Sequence, residues 1–280
     1  MGTKRSWEGN LIQRAEGGKM TEPEQKGGVE SLFSYFRSEL DEHHDRRERV
    51  IKASRDITAL SKKMVRSLNT TVPRSIAKEN TDRFAQIRNL FNSITPDVSG
   101  LNSWRYQYQI TWGVQEYIEA LSFQYYIEKK QLIPLEEVRN SLPPEIYVTE
   151  TDYVLGLFDL TGELMRFAIT AMSTGENRPR STLADANVDG PSGESGSGFG
   201  HGSSAEGIMV DLRELRAMFE KLNVPRNHSL TKELNKKMEV MQTSVEKVER
   251  AAYGFLVRGR ERPEGWVPDL SASTAPVESY

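Results

Sequence analysis

From Ser31 to Leu68 the chain runs without a single Gly or Pro, and the next breaker is Pro73. Wound as a helix, this stretch puts Val50, Ser54, Ile57, Leu60, Ser61, Met64 and Leu68 on one side. Lys52, Arg55, Lys62, Lys63 and Arg66 fall on the other. A helix of that length belongs to a bundle or a coiled coil rather than to an α/β domain. The basic stripe fits two readings, a solvated face or a surface that contacts nucleic acid.

The rest of the chain continues the pattern. A second helix is predicted over about 76–94, with Phe84, Ile87, Leu90, Phe91 and Ile94 as its core side. TPDVSG then reads as a turn. The third helix spans about 103–130 and carries two apolar stripes. One holds Val114, Tyr117, Ile118, Leu121 and Tyr125, and the other Tyr108, Trp112 and Phe123. A connector with one short helix leads to a fourth major helix, about 151–172. Residues 175–206 read as a flexible Gly/Ser-rich insertion. Further helices are predicted over about 210–222 and 229–257. No segment shows convincing strand alternation, so the expected fold class is all-α, a bundle of long antiparallel helices. The expected organisation is a disordered polar segment over 1–28, one helical domain over 29–261 that includes the insertion, and a tail over 262–280. Trp104, Tyr106, Tyr108, Trp112, Tyr125 and Tyr126 read as core, with a few at a cavity mouth able to stack bases.

The fourth helix carries the chemistry. Tyr153, Val154, Leu155, Leu157, Phe158, Leu160, Leu164, Met165 and Phe167 cover most of its circumference. A helix apolar nearly all round is a buried helix. One narrow stripe remains: Asp152, Gly156, Asp159, Glu163, Arg166 and Thr170. Buried carboxylates a turn apart must be protonated, paired with a cation or bound to a metal. The third helix offers a second acidic pair, Glu116 and Glu119, three residues apart and therefore neighbours. Facing each other, the pairs would form a four-carboxylate cage. Oxygen-only donors suit Mg²⁺ first, with Mn²⁺ the alternative. Such an ion acidifies water for attack on phosphorus. The plainer reading is ordinary acids paired with neighbouring cations, and Arg166 reads first as a partner for Glu163.

Other chemistries find little support. Di-iron bundles need Glu-x-x-His, which neither helix supplies. His43 and His44 lie on a polar helix surface and read as solvated, and His201 and His228 receive no role. The Gly-rich residues 190–202 lack the Lys-Ser/Thr of a phosphate loop. There is no cysteine, which excludes disulfides, thiolate zinc sites and cysteine nucleophiles. The net charge of −3 singles out no partner. No apolar run is long enough to cross a membrane, and no signal-peptide core is present. These absences favour the cytoplasm or nucleus; Lys4-Arg5 is too short for a nuclear signal.

Four blocks carry a resemblance: DEHHDRRERVIKASRDIT (41–58), GVQEYIEALSFQYYI (113–127), TDYVLGLFDLTGELMR (151–166) and KVERAAYGFLVRGRE (247–261). Together they resemble the translin superfamily, in its translin-associated branch. The resemblance covers about 31–261 apart from the insertion. It implies a translin-like all-α fold and a hetero-octamer with translin. It also implies Mg²⁺-dependent endoribonuclease activity on single-stranded RNA, in passenger-strand removal during RNA silencing and in tRNA processing. By motif match, the family's catalytic acids fall on Glu116, Glu119, Asp159 and Glu163. Two alternatives remain open: a non-catalytic structural subunit of a translin assembly, and a single-strand-binding module without cleavage.

Overall fold

A computed structural model of the chain describes residues 28–69, 74–173, 205–225 and 230–258. Every regular element among the described residues is a helix, as the sequence predicts. They are α1 (Gly28–Leu68), α2 (Arg74–Val98), α3 (Asn102–Lys129), α4 (Leu135–Asn140), α5 (Glu150–Ser173), α6 (Ala205–Glu220) and α7 (Thr231–Arg258). The N-terminal polar segment up to residue 27, the insertion up to residue 204, the tail, His201 and His228 lie outside the described residues.

By packing, the chain divides into Met1–Asp45 and Arg46–Tyr280. In the first unit, Val29, Leu32, Phe33, Tyr35, Phe36 and Leu40 are exposed. His44 is exposed there and His43 half-buried.

In the second unit, α5 packs against α3, α6 and α7, while α2 lies on α3 and α6 on α7. This is the position expected of a helix apolar nearly all round. Leu155, Leu157, Phe158, Leu160, Leu164 and Ala168 are all buried. Each large side chain among them contributes about 1.5–3 kcal/mol by leaving water.

Two glycines set the helix spacing. A Cβ on Gly156 of α5 would lie 2.7 Å from Ile118 Cγ2 and 3.1 Å from the Gln115 carbonyl oxygen of α3. A Cβ on Gly113 of α3 would lie 2.9 Å from Ser54 Oγ and 3.0 Å from the Ser54 carbonyl oxygen of α1. The Gly113 N–H donates to Ser54 Oγ at 3.2 Å. At these points the absence of a side chain lets the helices touch. The Gly113 contact lies within a turn of Glu116, and the Gly156 contact on Gln115 and Ile118 lies within a turn of both Glu116 and Glu119, so they also position the acids.

Helix α6 starts at Ala205, inside the predicted insertion and ahead of the start expected at about 210, and the structure departs further from the sequence reading at two places. Helix α2 continues through Pro96 to Val98, where TPDVSG reads as a turn. The added turn carries Asp97, whose two carboxylate oxygens accept from Arg49 of α1 at 2.8 and 2.6 Å. A charge-assisted fork of this kind favours the helical continuation. The second departure concerns the aromatics of α3. Tyr106 and Tyr126 are buried and Tyr125 half-buried, but Trp104, Tyr108 and Trp112 are exposed, at 70, 73 and 55%. The second apolar stripe divides along the helix: its N-terminal members Tyr108 and Trp112 face solvent, while Phe123 is buried in the bundle.

Candidate active site

The two acidic pairs come together. Helix α3 presents Glu116 and Glu119, and helix α5 presents Asp159 and Glu163. Glu119 lies close enough to the other three acids to feel their charge. Its carboxyl is pushed up to about 8, by burial first and then by Asp159, Glu116 and Glu163, with Lys237 opposing. A carboxyl so placed carries a proton at neutral pH.

Cations close the cluster. Lys62 of α1 reaches Glu116 at 3.0 Å. The hydrogen bond and charge of Glu116 hold the Lys62 ammonium above its ordinary range, and Glu119 and Asp159 add to this. Lys237 of α7 donates to both oxygens of Asp159 at 2.6 Å. Glu163 is buried, ion-paired with Arg166 one turn on, and accepts from Asn69 Nδ2 at 2.6 Å. The Asn69 Oδ1 atom beside it is buried without a hydrogen-bond partner. Helices α1, α3, α5 and α7 therefore each contribute to one charged cluster.

The donor set is all oxygen: four carboxylates and the unpartnered Asn69 amide oxygen. That set fits a hard divalent cation chemically. In the present arrangement, no three acidic or histidine side chains among the described residues converge as ion ligands. Lys62, Lys237 and Arg166 neutralise the acids instead.

Of the basic stripe, Lys52, Arg55, Lys62, Lys63 and Arg66 are all exposed. Lys62 alone among them is seen to reach the acids. Sequence reasoning passed over Lys237 and Asn69. Lys237 borders the Leu234–Met238–Met241 stripe of α7, and a lysine at the edge of an apolar stripe was the available signal. Asn69 follows the last residue of α1 and offered none.

The sequence pattern described as "Translin family" matches residues 45–259, which include every residue of this cluster. The chain belongs to the translin family. This translin-family chain is 29% identical to Translin-associated protein X of Rattus norvegicus over 266 residues, covering 85% of the chain and 82% of that protein. It is 28% identical over 244 residues to the Translin-associated protein X homolog of Schizosaccharomyces pombe, covering 84% and 91%. Two solved structures share the fold. "Crystal structure of apo-NeC3PO" superposes with a TM-score of 0.56 at 18% identity, covering 83% of this chain and 97% of that one. "Crystal structure of AfC3PO" does so at 0.55 and 19%, covering 82% and 98%. No helix among the described residues is long and apolar enough to cross a membrane.

Proposed function

We propose that this chain is the catalytic subunit of a translin-containing complex, in which it hydrolyses phosphodiester bonds of single-stranded RNA with the help of Mg²⁺. Passenger-strand removal and tRNA processing are the roles that reading suggests. The observation that carries it is the convergence of Glu116, Asp159 and Glu163, from two helices, on the buried carboxyl of Glu119. Three acids brought together around one buried carboxyl cost stability, and such clusters occur where chemistry needs them.

Glu116, Glu119, Asp159 and Glu163 would hold one or two Mg²⁺, or Mn²⁺. An ion so bound supplies acidified water and neutralises charge on the phosphoryl oxygens. Glu119 is the proton carrier of the set, because burial and its three neighbours keep its carboxyl protonated at neutral pH. Beside a cation held by the other acids, the ionised form of Glu119 would be favoured, and it could then accept a proton from water. Lys62 and Lys237, which here pair with Glu116 and Asp159, are the cations placed to meet phosphate oxygens at the acids. Arg166 and Asn69 fix the rotamer of Glu163.

A second reading has its own observation. Lys62, Lys237 and Arg166 already neutralise three of the acids. On that account the cluster is an ion-pair network in a non-catalytic subunit.

One assay separates the two: cleavage of labelled single-stranded RNA by the chain purified with translin, in Mg²⁺ and in EDTA, for wild type and Asp159→Asn. The nuclease reading expects Mg²⁺-dependent cutting that falls by about 10²–10⁴-fold in the variant. Equal cutting by an intact variant complex, or none by wild type, would overturn it.

A further inference from the structure

The exposed aromatics of α3 form a row. Trp104, Tyr108 and Trp112 are spaced by four residues, and the next step in the series is Glu116 of the acidic cluster. Each step advances about 6 Å along the helix and turns about 40°. The row therefore winds gently along α3 and ends at the carboxylates. Trp104, at the far end, is further held by Tyr147, with ring centroids 5.3 Å apart.

A basic row runs beside it. Lys62 reaches Glu116, so that side of α1 borders that side of α3. The helices run in the same sense here, since Ser54 touches Gly113 and, further along both, Lys62 meets Glu116. Two turns back from Lys62 stands Arg55, and one turn on stands Arg66, both exposed. One turn back from Glu116 stands Trp112. Arg55 follows Ser54 and Trp112 precedes Gly113, so both leave the α1–α3 contact on the side that carries Lys62 and Glu116.

We propose that Trp112 and Tyr108, with Trp104 beyond them, stack successive bases of a single strand, while Arg55, Lys62 and Arg66 take its phosphates and lead it to the acids. This rests on the nuclease reading and names how the substrate is held. Stacked rings and parallel cations are the combination that binds single strands without regard to sequence. Anchor positions about 6 Å apart along the helix exceed the roughly 3.4 Å rise of a stacked strand, so the strand lies extended with one base per ring. A duplex, whose bases are already stacked, gains nothing from the row. Protein partners also cover apolar faces, but Arg55 and Lys62 beside the rings match a polyanion.

Binding is measured on the full chain in complex with translin, in EDTA so that no turnover intervenes. The probes are a fluorescent single-stranded RNA, the same strand with abasic sites, and a duplex. The variants are Trp112→Ala, Tyr108→Ala and the conservative Trp112→Phe, each checked for oligomer size and melting temperature. The proposal expects each alanine variant to bind the single strand about 5- to 150-fold more weakly. It expects near-recovery with phenylalanine and little change on the abasic strand. Unchanged binding by an intact Trp112→Ala complex overturns it. Loss of the oligomer in Trp112→Ala and Tyr108→Ala also overturns it, assigning the face to a protein partner. Should wild type bind as expected yet not cut RNA in Mg²⁺, the nuclease reading fails and the track stands.

Discussion

Asp152 and Glu119 are both carboxylates at the seam between α3 and α5, and the protein treats them in opposite ways. Asp152 is buried and surrounded by neutral donors. It accepts from the Thr111 hydroxyl, from Gln115 Nε2 at 2.9 Å, from the Thr149 hydroxyl at 2.7 Å and from Gln107 Nε2 at 3.3 Å. Its own N–H returns a bond to Thr149 Oγ1 at 2.9 Å, a reciprocal cap that starts α5. Glu119 is surrounded by acids and relieved by a lysine. One carboxylate is built to be satisfied and the other to be perturbed. The first holds the helix pair together, and the second is the group on which the proposed nuclease reading depends.

Breaking the satisfied partner should have the larger effect on folding. Asp152→Ala leaves the donors of Thr111, Gln115, Gln107 and Thr149 without their acceptor. Chemical denaturation is expected to show a loss of about 3 kcal/mol. A loss under 1 kcal/mol would mean that water replaces the carboxylate and that the two regions differ less than argued.

Gly156→Ala tests the contact between them. Its new methyl meets Ile118 at 2.7 Å and the Gln115 carbonyl at 3.1 Å. The expected cost is about 1–3 kcal/mol, with weaker RNA cleavage because α5 must shift while carrying Asp159 and Glu163. An unchanged melting curve would show that the helices are not in such close contact.

The smallest effect sharpens the contrast from the other side. Glu119 has its folded carboxyl at about 8 against an ordinary 4.5, so between those values the folded state binds the extra proton. Its contribution is therefore most favourable below pH 4.5 and is lost as pH rises towards 8. Glu119→Gln removes that loss. Relative to wild type in EDTA, the variant should gain on the order of 1 kcal/mol by pH 8 and little near pH 5, after allowance for solvent screening. Parallel pH–melting curves would contradict the assigned perturbation.

Much of the fold was legible in the sequence because long helices write their period plainly. The apolar girdle of α5 announced a central helix, and α5 proved to pack on three others. The misread turn at Pro96 depended on Arg49, distant in sequence, pairing with Asp97. The acids of the candidate site could be named from helix faces alone, but not their cations. Lys237 lies far along the chain from Asp159, and nothing local marks it as a partner. The stripe from Asp152 to Arg166 looked like one feature. Its members split because neutral donors on α3 happen to face Asp152, while acids on α3 face Asp159 and Glu163. The exposed tryptophans were misassigned because periodicity distinguishes faces of a helix without saying which face meets the core.

The account turns on whether Glu119 is a reactive carboxyl or a structural one. The most direct measurement is single-turnover RNA cleavage by the Glu119→Gln chain in complex with translin, with thermal melting recorded on the same sample. The account predicts that Mg²⁺-dependent cleavage disappears while the melting temperature in EDTA holds or rises. Retained cleavage, or cleavage lost together with a fall in melting temperature, would contradict it.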